Sequence, residues 1–129
     1  MKYLLQQTIT PQKIDGRDAW FRVIFCDGQF YPCWWDPHTH VYAVVNIEEE
    51  IRYGLPVLRE ITARIASLCK LAFFSTEIAF SSEQQWVVID YVNDQIDMRL
   101  QSKARDGVPE AVVQKISFDL ANLIKRKCN

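Results

Sequence analysis

The stretch TEIAFSSEQQWVVIDYVND, residues 76–94, decides the fold, because it predicts two neighbouring strands joined by a short polar turn. We place the strands at Phe73–Phe80 and Gln85–Tyr91. Each strand has one acid among its apolar residues, Glu77 in the first and Asp90 in the second. A two-residue turn and a four-residue loop both put Glu77 directly opposite Asp90, with the side chains about 5 Å apart.

Two facing carboxylates have two interpretations. They repel each other unless a cation lies between them, and Mg²⁺, which prefers oxygen ligands, would remove that cost. Asn93 follows the second strand and could add an amide oxygen to the same ion. The alternative is a solvated sheet face with two ordinary surface acids, since antiparallel sheets often have one polar face.

The rest of the chain predicts more strands and two main helices. Asp27-Gly28 is typical of a two-residue hairpin turn, which places Arg22 across from Cys33, and His40–Val45 is a further strand. A helix follows over residues 55–71, with Pro56 in its first turn, and a last helix starts at Pro109. We therefore expect an α+β fold, in which the helices cover one face of a mostly antiparallel sheet.

Composition and charge restrict the function classes. The 129 residues form one domain, 1–129, of which 49% are hydrophobic and 24% charged. The net charge of −1 argues against nucleic-acid binding. No apolar run reaches the length of a membrane span and the opening residues are too polar for a signal peptide, so we expect a cytoplasmic protein. Cys26 and Cys33 flank the hairpin turn and are either reduced, buried thiols or a disulfide.

Cationic side chains follow the second acid strand. Arg99 and Lys103 lie in the polar loop after it, where they could contact phosphate or substrate oxygens that gain charge during phosphoryl transfer. The alternative for Arg99 is a salt bridge within the loop, for example with Asp97.

In their order, the segments AWFRVIFCDGQFYPCWW, FFSTEIAF and WVVIDYVND resemble the C-terminal half of an ATP-grasp domain, of the kind with a DYVND metal motif. The resemblance implies an Mg²⁺–ATP site. The metal would be held by Glu77, Asp90 and Asn93, and Arg22 would face the triphosphate or an acyl phosphate. Gln6 and Gln7 would lie in the segment whose backbone holds adenine.

The chain departs from the ATP-grasp pattern in two respects. Asp90 and Asn93 are one residue further apart than in the usual Glu-x-Asn, so a β-bulge or the end of the strand must return Asn93 to the face of Asp90. The glycines are isolated, so the glycine-rich loop that covers the phosphates in the first half of the family fold is missing.

We therefore expect the Mg²⁺–ATP-binding half of a ligase-type enzyme, which activates a carboxylate as an acyl phosphate. A homodimer, a partner chain or a longer parent chain would supply the missing half. The alternative is a non-catalytic binding or assembly module on the same half-fold, which would bury its sheet face in a homodimer or partner interface.

Overall fold

The computed structural model describes residues 7–128, and these form the α+β architecture that the sequence predicts. In chain order the elements are β1 (Lys13–Ile14), β2 (Arg17–Asp18), β3 (Trp20–Cys26), β4 (Gln29–Trp35), β5 (Tyr42–Val44), α1 (Ile47–Arg52), α2 (Pro56–Cys69), β6 (Phe73–Phe80), β7 (Trp86–Asn93) and α3 (Glu110–Lys127). The first two strands form a hairpin, and the other five form an antiparallel sheet of order β5-β4-β3-β6-β7.

The central strand β3 pairs with β4 on one side and with β6 on the other. The hairpin turn to β4 is the predicted Asp27-Gly28, with φ of 48° and 84°, so the second position suits glycine, which has no Cβ to clash. The predicted pairing of Arg22 with Cys33 is confirmed.

The two long helices pack on opposite faces of the sheet. Leu58 of α2 belongs to a buried cluster with Phe21 and Val23, whereas Val112 of α3 belongs to a second cluster with Ile24. Successive residues of β3 point to opposite faces, so the two clusters lie on the two sides of the sheet. The expectation that the helices cover one face is wrong, and we call the two sides the α2 face and the α3 face.

Polar contacts and buried thiols accompany α3 on its face. The hydroxyl of Tyr31 donates to Asp119, and Arg126 pairs with Asp27 in the β3–β4 turn. The thiols of Cys26 and Cys33 are buried and free, which excludes the disulfide alternative for this pair. Burial raises the pKa of Cys26 to about 11 and the pKa of Cys33 to about 12, so both stay protonated at neutral pH.

The hairpin of β6 and β7 differs from the prediction at its turn. Phe80 pairs with Trp86, and the amide of Ser81 donates to the carbonyl of Gln85 at 2.8 Å, so the turn enclosed by this bond has three residues, 82–84. That turn alone would pair Glu77 with Ile89. A register shift between the Glu77 and Ile78 pairs moves Asp90 opposite Glu77, so the predicted pair is confirmed, through a bulge rather than through the turn.

A second register shift follows in β7, and it brings Asn93 opposite Ser75. Ser75 and Glu77 are two residues apart on β6 and share a face. Asn93 therefore lies on the same face as Asp90, although strict alternation from Asp90 would place it on the other face. Between the two shifts, the buried hydroxyl of Thr76 donates to the backbone carbonyl of Asp90 at 2.9 Å.

Two neighbouring buried hydroxyls allow a test of this irregular pairing. We expect Thr76→Val to lower the free energy of unfolding by about 1–2 kcal/mol, because the carbonyl of Asp90 loses its donor. Ser75→Ala is the matched control, since the Ser75 hydroxyl has no hydrogen-bond partner among the described residues, and we expect it to be neutral or stabilising. Urea denaturation measures both variants, and equal losses would contradict the role of Thr76.

Candidate functional site

Arg22, Glu77 and Asp90 form a row across three adjacent strands. Arg22 on β3 pairs with Glu77 on β6, and Glu77 pairs with Asp90 on β7. The row lies on the α3 face, because Arg22 and Ile24 alternate with residues of the α2 face along β3. The structure thus brings together the strand arginine and the two strand acids that the sequence singles out.

Glu77 receives one hydrogen bond on each carboxylate oxygen. The indole Nε1 of Trp20 donates to Oε1 at 2.7 Å, and Nη2 of Arg22 lies 3.3 Å from Oε2. The side chains of Arg22 and Glu77 are only 14% and 10% exposed. The positive charge of Arg22 therefore compensates Glu77, one of the two facing acids, without a metal ion.

The guanidinium of Arg22 lies among aromatic side chains. Its central carbon is 4.4 Å from the ring centroid of Trp35, a cation–π contact. Burial raises the pKa of the neighbouring Tyr42, while the positive charge of Arg22 opposes that rise. Nε of Arg22 is buried and has no hydrogen-bond partner among the described residues, so the donors of this group are not all used.

Asp90 and Asn93 differ from Glu77 because their side chains make no hydrogen bond or ion pair with another described residue. Both are half-buried on the edge strand β7. Within residues 7–128, the hydrogen bond at Asp90 that involves a side chain is the one its backbone carbonyl accepts from Thr76. The Asp90 carboxylate and the Asn93 amide thus present oxygens next to the Arg22–Glu77 pair.

The described part of the chain contains no group of three or more His, Cys, Asp or Glu side chains that could hold a metal ion. Asp90, Asn93 and Glu77 together offer two carboxylates and one amide. A metal bound there would need further oxygens from water or from a ligand.

Arg99 forms a salt bridge with Asp97 within the loop, which confirms the alternative interpretation of this residue. Its Nε lies 2.7 Å from Asp97, and Nη2 lies 3.1 Å from Asp106. The backbone amide and the guanidinium of Arg99 hold the pKa of Asp97 below its usual value. Lys103 in the same loop is exposed. A contact of Arg99 or Lys103 with phosphate stays a prediction.

The predicted adenine segment is only partly described, because Gln6 lies outside residues 7–128. Gln7 is exposed and belongs to no helix or strand. Shortly after it, the carbonyl of Thr10 accepts from the amide of Ser82 at 2.7 Å, which joins this segment to the β6–β7 turn.

Sequence reasoning missed Trp20 and Trp35, the aromatic partners of the row. Trp20 is two residues before Arg22 on β3 and therefore shares its face. Trp35 is likewise two residues after Cys33, the partner of Arg22 on β4. Alternation along the two predicted strands was the signal that could have identified both side chains.

No protein-family model matches the sequence, and neither the curated proteins nor the solved structures include a match. In the described residues, no helix is both long enough and apolar enough to cross a lipid bilayer.

A double-mutant cycle tests the buried ion pair. We expect Glu77→Leu to cost about 3–5 kcal/mol of unfolding free energy, because it leaves the charge of Arg22 buried and unpaired. Adding Arg22→Met should recover most of that loss, since two apolar side chains of similar size leave no buried charge. Urea denaturation measures each variant.

The matched control is the exposed pair of Lys13 and Asp18, whose side chains are 68% and 37% exposed. Asp18→Ala should cost less than about 1 kcal/mol, as is usual for surface ion pairs. A Glu77→Leu/Arg22→Met double variant no more stable than Glu77→Leu alone would contradict the pairing of these two charges.

Proposed function

We propose that this chain is the Mg²⁺–ATP-binding half of an ATP-grasp-like ligase, with its metal and phosphate site on the α3 face. The observation that supports this most is the second register shift of β7. It returns Asn93 to the face that holds Arg22, Glu77 and Asp90. Without that shift, alternation would direct Asn93 to the opposite side of the sheet.

The residues present fit a magnesium–nucleotide complex. Mg²⁺ is commonly held by one or two carboxylates plus substrate phosphates and water, so a site built from protein groups alone is not needed. Each oxygen of Glu77 accepts one hydrogen bond and keeps a further lone pair, while the Asp90 carboxylate has no hydrogen-bond partner among the described residues. When bound, the ion would neutralise phosphate charge, and Arg22 would add a fixed positive group.

The chemistry that we propose is activation of a carboxylate as an acyl phosphate, with Arg22 facing the transferred group. Arg99, Lys103, Gln6 and Gln7 stay predicted nucleotide or substrate contacts within this proposal. A homodimer or a partner chain would supply the missing half of the nucleotide site.

We also propose a cytoplasmic location, because the cytoplasm is reducing and the cysteine thiols of the described residues are free.

A second candidate function is assembly without catalysis, because one surface exposes apolar side chains. Leu68 of α2 is 82% exposed and Tyr91 of β7 is 65% exposed. With Val88 and Val92 they line a groove of about 460 Å³. This groove lies between α2 and β7, so a second copy of the chain would dock on the α2 face and not on the face that holds Arg22, Glu77 and Asp90.

Calorimetry of Mg²⁺–ATP binding tests the proposed function. We expect binding that requires Mg²⁺, and we expect Asp90→Asn and Asn93→Ala each to weaken it by about tenfold or more, because each removes a metal ligand. Glu83→Gln, in the exposed β6–β7 turn, removes an acid outside the row and should leave binding unchanged.

Two results contradict the nucleotide proposal: no heat of binding from the wild-type chain at millimolar ATP, or equal losses of affinity in Asp90→Asn and Glu83→Gln.

Sedimentation at increasing protein concentration tests the second candidate function, assembly without catalysis. A dimer that Leu68→Lys dissociates would support assembly on the α2 face, and a monomer at all concentrations would exclude it.

A further inference from the structure

A second concave surface lies at the end of β4, and the proposed function makes no use of it. It is a groove of about 430 Å³, with walls from the β1–β2 hairpin, the ends of β4 and β5, and the loop before α3. Its charged lining consists of Lys13, Arg17, Asp18, Asp36 and Arg105. Pockets of this size with a few convergent polar groups are typical of small-molecule sites.

Three of the five charges are already satisfied. Lys13 pairs with Asp18 at 2.5 Å. Asp36 accepts from the amides of His38 and Thr39 at 2.7 and 3.1 Å and so stabilises its own turn. The five formal charges of the lining sum to +1, and Arg17 and Arg105 are the two cations that pair with no acid of the groove.

Arg17 is held in place but keeps free donors. Its guanidinium carbon lies 5.0 Å from the ring centroid of Trp34, and its Nη1 lies 3.7 Å from Glu49. That distance is longer than a hydrogen bond, and the Arg17 side chain is 53% exposed. Stacking thus fixes the group, while several of its five N–H donors stay available to a ligand.

Arg105 is exposed, and it makes no hydrogen bond or ion pair with another described residue. Its backbone is nevertheless held against the sheet. The amide of Gly107 donates to Ala104 at 2.8 Å, which closes the turn around Arg105, and the side chain of Gln101 donates to the carbonyl of Tyr42 at 2.7 Å. A Cβ on Gly107 would come within 2.5 Å of the carbonyl oxygen of Arg99, so the loop is closely packed there.

We propose that this groove binds a small organic oxyanion, a carboxylate or a phosphate ester, between Arg17 and Arg105. Guanidinium groups match the planar and multidentate geometry of both kinds of oxyanion. The apolar part of the ligand would contact Trp35, Val41 and Ala43, which line the same groove. Trp35 also stacks on Arg22, so the groove adjoins the Arg22 row. Anion binding between Arg17 and Arg105 would need neither Mg²⁺ nor ATP.

A titration followed by ¹⁵N–¹H correlation spectra tests this proposal. The full chain is titrated in buffer with EDTA, using succinate in one series and glycerol 3-phosphate in another, with glycerol as the neutral reference. We expect at least one anion to shift the indole signal of Trp35 and the amide of Ala43 with saturation, while glycerol shifts neither. The series that saturates identifies the head group as carboxylate or phosphate.

Two variants separate the groove from nonspecific ion binding. Arg105→Gln should weaken binding by about tenfold, because a charge-assisted hydrogen bond is lost. Lys115→Gln, on the exposed surface of α3, removes a cation outside the groove and should change nothing. The spectra of both variants also report whether they fold.

No saturable shift at Trp35 and Ala43 with either anion at millimolar concentrations would overturn the proposal. Equal weakening in Arg105→Gln and Lys115→Gln would overturn it as well, since it would indicate screening by a diffuse surface charge. EDTA removes Mg²⁺, so the titration does not depend on whether the chain binds Mg²⁺–ATP. A groove that binds neither anion likewise leaves the calorimetry of Mg²⁺–ATP binding unaffected.

Discussion

The buried ion pair between Arg22 and Glu77 constrains the rest of the structure. It joins the central strand β3 to β6 within the sheet, and Trp20 completes the hydrogen bonding of the carboxylate. A slip of one residue would turn Glu77 toward the α2 face, where Phe21 and Leu58 form an apolar cluster. The cost of burying an unpaired carboxylate there fixes the register. The pair therefore defines which side of the sheet is polar.

The edge strand β7 then determines what that polar side can bind. Its two register shifts put Asp90 and Asn93 beside the ion pair, and the hydroxyl of Thr76 satisfies the carbonyl between them. Bulges also make an edge strand a poorer template for pairing with another chain. The same irregularity thus presents two polar side chains beside the ion pair and protects the edge, while the groove lined by Leu68 and Tyr91 lies on the α2 face.

The sequence predicts some elements well and others for the wrong reason. The limits Phe73–Phe80 of β6 are confirmed, and the Glu77–Asp90 pair is right although the turn is of a different length, because a bulge compensates. The side on which each helix packs could not be predicted, since β6 is buried on both faces and shows no polar alternation. Arg105 is placed by the bond from Gln101 to Tyr42, a contact between distant segments that no local pattern indicates.

Paramagnetic broadening by Mn²⁺ in the presence of ATP tests most directly whether the face defined by the ion pair holds a metal. Mn²⁺ takes the oxygen ligands that suit Mg²⁺, and it broadens the signals of nearby amides. We predict the strongest broadening at Asp90 and Asn93, with weaker effects at Ser75 and Glu77 on the paired strand. Broadening centred on the acidic run of α1, residues 48–50, with the β7 signals unaffected, would contradict a metal site on the α3 face.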